Sequence, residues 1–229
     1  MSFGTILIGL LVFNGLVVAH EFGHMLAAKA AGLDVPEFAV GFGPRLLGIR
    51  LGDTEYVWRL LPLGGYVMLP DLVSEDGLPM VSRSRRLAAL LAGPGMNLLL
   101  TVLLVGPART WLFFTLWVEG ILSLFSGSQA GGALVGLVGT TQMVAQAASF
   151  GWEALMSMAA FLSLNFFLFN LLPIPGLDGG RLLGLLLEKL NGGRAPRWEP
   201  AVQFIGLLAM LGLGLWVTGQ EILRAIGWI

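Results

Sequence analysis

The sequence has no cysteine and few charged residues. None of its 229 residues is cysteine, which excludes a disulfide framework, a cysteine-ligated metal site and a cysteine nucleophile. Only 12% of the residues are charged, whereas a soluble domain carries about 25%. The net charge is −1 and no basic run alternates with aromatic residues, so we expect no binding to nucleic acid.

Apolar residues make up 56% of the chain and the mean hydropathy is +0.83, which indicates an integral membrane protein. A membrane-spanning helix needs about 20 apolar residues. Four segments meet this requirement, at about 3–31, 87–106, 152–172 and 201–222. The first segment lacks a basic start and a cleavage site, so we interpret it as a retained helix and not a signal peptide. A shorter stretch, about 108–126, is predicted to be an interfacial segment.

The distribution of basic residues predicts the orientation in the membrane. Ten of the 13 Lys and Arg residues lie between the first and second segments or between the third and fourth, and Lys29 lies at the border of the first of these connections. Basic loops stay in the cytoplasm. Both termini are therefore expected outside the cytoplasm, and a fifth span would place the second basic cluster on the wrong side.

Residues 41–69 form a predicted β-element between the first two segments. Extended-looking runs at Arg45–Arg50, Thr54–Leu61 and Gly65–Leu69 are separated by glycine-containing turns. The element could dip into the membrane beside protein or lie as a peripheral cytoplasmic hairpin. The predicted fold is an all-α polytopic membrane protein with about four transmembrane helices and this small hairpin or sheet, as a single domain over residues 1–229.

The first segment contains HEFGH at 20–24, which holds the two histidines of the chain. His20 and His24 are four residues apart and lie on one face of a helix, so both imidazoles can reach one zinc ion. Glu21 projects close enough to act on a water molecule as a general base. Ionisable groups are rare inside membrane segments and usually functional. The alternative is that the histidines are packing residues with Glu21 reaching the interface.

A third ligand is needed, because catalytic zinc has three protein ligands and one open position. Asp178 is the strongest candidate, since Pro173 and Pro175 break the helix before it and glycines surround it. It could instead cap the helix that follows. The Asn170 amide, eight residues earlier, could bind a substrate carbonyl or oxyanion, or bond between helices.

Other functional classes fit less well. A metal transporter needs more polar residues along a path through the helices, and a non-catalytic scaffold has no need to keep Glu21. A serine-type intramembrane protease needs a histidine that is not engaged elsewhere. An aspartyl intramembrane protease needs two membrane aspartates, and only Asp178 qualifies.

HEFGH together with NLLPIPGLDGG (170–180) resembles the site-2 protease family of intramembrane zinc metalloproteases. GFG (41–43), PLGGYV (62–67) and AGPGMN (92–97) resemble the bacterial branch that cleaves anti-sigma factors and remnant signal peptides. The resemblance implies that His20, His24 and Asp178 bind one Zn²⁺ ion per chain and that Glu21 activates water. The residues that it implies in substrate or transition-state binding are Asn170, Asn97, Gly41, Gly43, Gly64, Gly65 and Tyr66.

The resemblance further implies a multi-pass protease of the bacterial cytoplasmic membrane that hydrolyses peptide bonds within transmembrane segments. Its expected partners are single-span membrane proteins and the lipid bilayer. The β-element would pair with an unwound substrate strand. One departure is that the PDZ domain usual in this branch is missing, because the second segment runs almost directly into the interfacial one.

Overall fold

The computed structural model describes residues 3–69, 81–125 and 135–228. The helices and strands in these parts of the chain follow in the order α1 Phe3–Ala30, β1 Glu37–Leu51, β2 Thr54–Val67, α2 Arg83–Phe125, α3 Leu137–Ser149, α4 Trp152–Leu171, α5 Asp178–Leu190 and α6 Glu199–Ala225.

Four of the described helices are long and apolar enough to cross a membrane: Ile6–Ala30, Arg83–Ser123, Trp152–Leu171 and Glu199–Ala225. This confirms the prediction of an α-helical, multi-pass membrane protein. Exposed apolar side chains such as Phe204, Leu211 and Leu215 on α6 suit contact with lipid.

The second membrane segment differs from the prediction in length. Helix α2 continues past the predicted end at Gly106 to Phe125, although Gly106 interrupts it with a φ of 78° and a ψ of 166°. The stretch at 108–125 is therefore helical. Its interfacial position and the orientation of the termini stay predictions.

The β-element is a small sheet of β1 and β2 that begins at Glu37, earlier than predicted. Arg45–Leu51 pairs with Thr54–Arg59 as an antiparallel hairpin, in agreement with the sequence. The residues Glu37–Val40 pair on one side with Glu55–Trp58 and on the other with Gly65–Val67. These pairings join segments distant in sequence, and the turn signals used for the prediction report only on local pairing.

The sheet packs along α1. Met25 and Ala28 of α1 form a buried cluster with Val35 and Phe38, which Val67 and Leu69 extend. The turn before Gly65 is hydrogen-bonded to Asn14, which lies within the membrane-spanning part of α1. This position favours the first of the two predicted alternatives, a β-element beside the membrane segment.

The chain divides into two compact units. One comprises Met1–Phe13, Leu98–Asn165 and Ala209–Ile229, and within it the Glu221 carboxylate accepts hydrogen bonds from the N–H groups of Gly136 and Gly139 at the start of α3. The other comprises Asn14–Asn97 and Phe166–Leu208 and contains every site residue predicted above.

Helix α4 ends at Leu171 because two prolines follow it. Pro173 and Pro175 lack the N–H groups that a helix requires. The Gly176 N–H donates to the Gln203 side chain of α6 at 2.8 Å, which holds the irregular segment in place. The chain becomes helical again at Asp178, so this residue is the first of α5.

Candidate metal centre

His20 and His24 face the same direction, one turn apart on α1. Their Nε2 atoms are 3.1 Å apart and their rings meet edge to face, with centroids 4.7 Å apart. Both residues are buried, with exposed fractions of 7% and 6%. The spacing in HEFGH thus produces the convergence predicted from helix geometry.

Asp178 completes the cluster from the start of α5. Its Oδ2 atom lies 3.0 Å from Nε2 of His20 and 3.1 Å from Nε2 of His24. Burial raises the pKa of Asp178, but hydrogen bonds to the two imidazoles outweigh it, and the pKa lies below its ordinary value. The break between α4 and α5 therefore places the Asp178 carboxylate beside both histidines, and the same residue begins α5.

The three ligand atoms lie within 4.8 Å of one another, so these residues could hold a metal ion. Two imidazole nitrogens and one carboxylate oxygen form a donor set that suits Zn²⁺. The other acidic residues of the predicted spans have different surroundings. Glu153 pairs with Arg109 on the surface, and Glu221 binds backbone N–H groups of α3.

Groups on α2 orient both imidazoles. The Nδ1 atom of His24 lies 2.7 Å from the Ala89 carbonyl oxygen, which can only accept, so Nδ1 carries the proton and Nε2 is available to a metal. The amide nitrogen of Asn97 lies 3.2 Å from Nδ1 of His20. A half-turn of that amide would present its oxygen to an Nδ1–H group. Asn97 is fully buried against the cluster.

Two glycines let α1 and α2 approach closely at this point. A Cβ atom on Gly93 would lie 2.1 Å from Nε2 of His24, and one on Gly23 would lie 2.3 Å from the Ala92 carbonyl oxygen. Small residues are common where membrane helices meet. The His24 ring can lie this close to α2 because Gly93 has no side chain, and in this position its Nε2 atom is directed at the other two donors.

Glu21 lies beside the donor cluster and touches the sheet. Its Oε2 atom accepts a hydrogen bond from the Val67 N–H at 3.1 Å. The Met68 N–H donates to Glu37 of β1. Neighbouring N–H groups on a strand point in opposite directions, so the Val67 N–H lies on the outer edge of the sheet, facing Glu21. Gly65, on the same edge strand, would bring a Cβ within 3.8 Å of the Glu21 Cγ.

The remaining predicted hairpin residues shape the sheet. Tyr66 donates to Glu37 at 2.5 Å and stacks on Phe42, while Arg59 bridges Glu37 and the Gly43 carbonyl oxygen. The Tyr66 hydrogen bond and the Arg59 charge lower the pKa of Glu37. Burial and the same carboxylate raise the pKa of Tyr66. These side chains join β1 to β2 and hold the sheet together.

Two of the predicted glycines lie at close approaches. A Cβ on Gly41 would lie 2.4 Å from the Leu61 carbonyl oxygen, and one on Gly64 would lie 2.9 Å from the Phe42 ring.

Asn170 lies outside this cluster of contacts. Its amide donates to the Phe166 carbonyl oxygen of α4 at 2.9 Å, and no described contact links it to His20, His24 or Asp178. Its role in substrate binding stays a prediction.

Sequence reasoning missed a buried ion pair between α2 and α5. Arg86 and Glu188 form two hydrogen bonds of 2.7 and 2.5 Å, with exposed fractions of 2% and 5%. Arg86 precedes Ala89 by one turn, and Glu188 lies on the helix that Asp178 begins. Arg86 was counted only as one of the basic residues that set the orientation, and Glu188 carried no signal in the sequence.

A family model described as Peptidase family M50 matches residues 8–213. A Clostridium acetobutylicum protein is 44% identical over 108 residues, which cover 45% of this chain and 32% of that protein. A Clostridium perfringens protein is 26% identical over an alignment of 332 residues, which covers 96% of this chain and 99% of that protein. Both relatives bear the name "putative zinc metalloprotease".

Apolar spanning helices and a buried pair of imidazoles with a carboxylate define a multi-pass membrane protein with a site suited to a divalent metal. Because the family model covers most of its length, the chain belongs to Peptidase family M50, the site-2 protease family of membrane zinc metalloproteases.

Proposed function

We propose that this chain hydrolyses peptide bonds within the transmembrane segments of single-span membrane proteins. The observation that carries the proposal is the carboxylate of Glu21, which follows the candidate ligand His20 directly in sequence and accepts a hydrogen bond from the outer edge of the sheet.

The three donors would hold one Zn²⁺ ion per chain. Zinc bound there would supply Lewis acidity and a water molecule whose pKa is lowered to about 7. Ala89 and Asn97 would keep the imidazoles turned toward the ion. Glu21 would accept a proton from the water and later donate it to the leaving amine.

The sheet edge supports the proposal about the substrate. A transmembrane helix hides its peptide groups in internal hydrogen bonds, so it must unwind before cleavage. An extended peptide can add to an exposed edge through main-chain hydrogen bonds. A strand added beside Gly65 and Val67 would pass Glu21, with its peptide groups directed at the reacting centre.

The family resemblance and the distribution of basic residues extend the proposal. Anti-sigma factors and remnant signal peptides are the proposed substrates, and the bacterial cytoplasmic membrane, with both termini outside, is the proposed location. The alignment with the Clostridium perfringens relative is longer than this chain, so that relative has inserted residues that this chain lacks. We infer that the catalytic core works without a PDZ domain.

The test is cleavage of a model single-span substrate by purified protein in detergent. Wild type, Glu21→Gln and His24→Ala are compared, each with its zinc content measured. We expect the wild type to cleave, to stop when zinc is chelated and to recover when zinc is restored. Glu21→Gln should bind zinc without cleaving, and His24→Ala should lose both. Full cleavage by Glu21→Gln would refute the assigned role of this carboxylate.

A further inference from the structure

Asn14 is a polar residue in the middle of the apolar part of α1. It lies six residues before His20, within the span Ile6–Ala30. An amide in the apolar part of a membrane helix is costly unless its donor and acceptor groups are satisfied, and such residues usually have a function.

The Asn14 side chain binds the turn that leads into the edge strand. Its Nδ2 group donates to the Pro62 carbonyl oxygen at 2.5 Å, and its Oδ1 atom accepts from the Gly64 N–H at 3.1 Å. An amide side chain can donate from its nitrogen and accept at its oxygen at the same time. Gly64 has a φ of +93°, which a residue with a side chain rarely adopts. The turn therefore depends on both the glycine and the amide.

The edge strand thus has two contacts with α1, Gly64 with Asn14 and Val67 with Glu21. Three residues of strand span about 10 Å. Seven residues of helix, from Asn14 to Glu21, span about 10.5 Å. The two distances match, so the strand runs beside the helix with a fixed register between its backbone and the reacting centre.

We propose that Asn14 is a positioning residue that sets this register and thereby the position of the cleaved bond. The inference rests on the proposed function. When Glu21 takes part in the reaction its bond to Val67 is lost, and the Asn14 contact remains to hold the strand. Without it, the turn could slide along α1 and present other peptide bonds of the substrate to Glu21.

The test compares Asn14→Leu with the wild type and with Asn165→Leu. Leucine has the same branched arrangement of side-chain heavy atoms as asparagine and suits a membrane helix, so the first variant should fold and bind zinc. Asn165 also lies in a membrane helix, but its amide donates to the Phe161 carbonyl oxygen of the same helix, which makes it a matched control. The measurements are zinc content, hydrogen exchange of the peptide covering 62–68, and the cleavage sites in a model substrate by mass spectrometry.

Loss of the two hydrogen bonds should speed amide exchange at 62–68 about tenfold or more in Asn14→Leu, since each bond contributes about 1 kcal/mol. Its zinc content should be unchanged, and its products should include cleavage at neighbouring bonds. Asn165→Leu should match the wild type in all three. Unchanged exchange, or a single unshifted cleavage site in Asn14→Leu, would overturn the proposal. If the wild type cleaves nothing, the proposed function fails, and exchange at 62–68 still tests the Asn14 contact.

Discussion

A single methyl group at Gly93 should strongly weaken metal binding. In Gly93→Ala the new Cβ would lie 2.1 Å from Nε2 and 2.5 Å from Cε1 of His24. Non-bonded heavy atoms need about 3.5 Å, so the imidazole or α2 must move by about 1.4 Å. Metal–ligand distances tolerate only about 0.2 Å.

Neither way of relieving this overlap preserves the site. If the imidazole turns away, its Nε2 leaves His20 and Asp178. If α2 moves outward, it carries Ala89 with it, and the 2.7 Å bond that orients His24 is lengthened. Loss of an orienting partner alone lowers metal affinity about 10- to 100-fold, so displacement of a ligand should lower it by about 100-fold or more.

The assay is zinc affinity by competition with a chelator, together with cleavage of a model substrate. Gly95→Ala is the matched control, because it lies two residues further along α2 and a Cβ there meets nothing within 4 Å. It should bind zinc and cleave like the wild type. Wild-type zinc affinity in Gly93→Ala would refute the close approach of α2 to His24 and the argument built on it.

Three further predictions concern the surroundings of the site. Glu188→Leu should destabilise the protein by about 3–5 kcal/mol, because it leaves Arg86 buried and unpaired. The double variant Arg86→Met with Glu188→Leu should recover most of this stability. Equal unfolding midpoints for the single and the double variant would contradict this prediction. Gly65→Val should lower cleavage and leave zinc binding intact, whereas equal loss of zinc would show that the edge strand only supports the site. The pKa of Glu37 is lowered because the folded sheet favours its ionised form, so this carboxylate stabilises the fold at a pH above its ordinary pKa of 4.5. Thermal stability should therefore fall as the pH drops below 4.5, and Glu37→Gln should weaken this pH dependence.

The membrane spans could be predicted from the sequence because their signal is local. Each span consists of one apolar run of sufficient length, and this run predicts a span whatever the neighbouring segments are. The spacing of His20 and His24 is equally local, since a helix fixes the direction of residues four apart. Asp178 is 154 residues from His24. It could still be proposed, because few acidic residues lie in or near the spans and prolines mark the break before it.

The contacts between distant segments could not be predicted in this way. The amide of Asn14 indicates a polar partner but does not identify Pro62 and Gly64 as that partner. The pairing of Glu37–Val40 with Gly65–Val67 depends on tertiary contacts and not on a turn. Gly93 was visible within AGPGMN, yet only the packing of α2 against His24 explains why a side chain is excluded there.

The Arg86–Glu188 pair helps to fix the position of Asp178 by holding the far end of α5. Asp178 begins a helix directly after an irregular segment, so by itself it fixes only one end of α5. Glu188 lies ten residues later, about 15 Å along the helix. Its bond to Arg86 fixes that distant end to the same helix, α2, whose Ala89 and Asn97 orient the histidines. With both ends fixed, the direction of α5 and the position of the Asp178 carboxylate are determined, although the chain before it is broken by prolines.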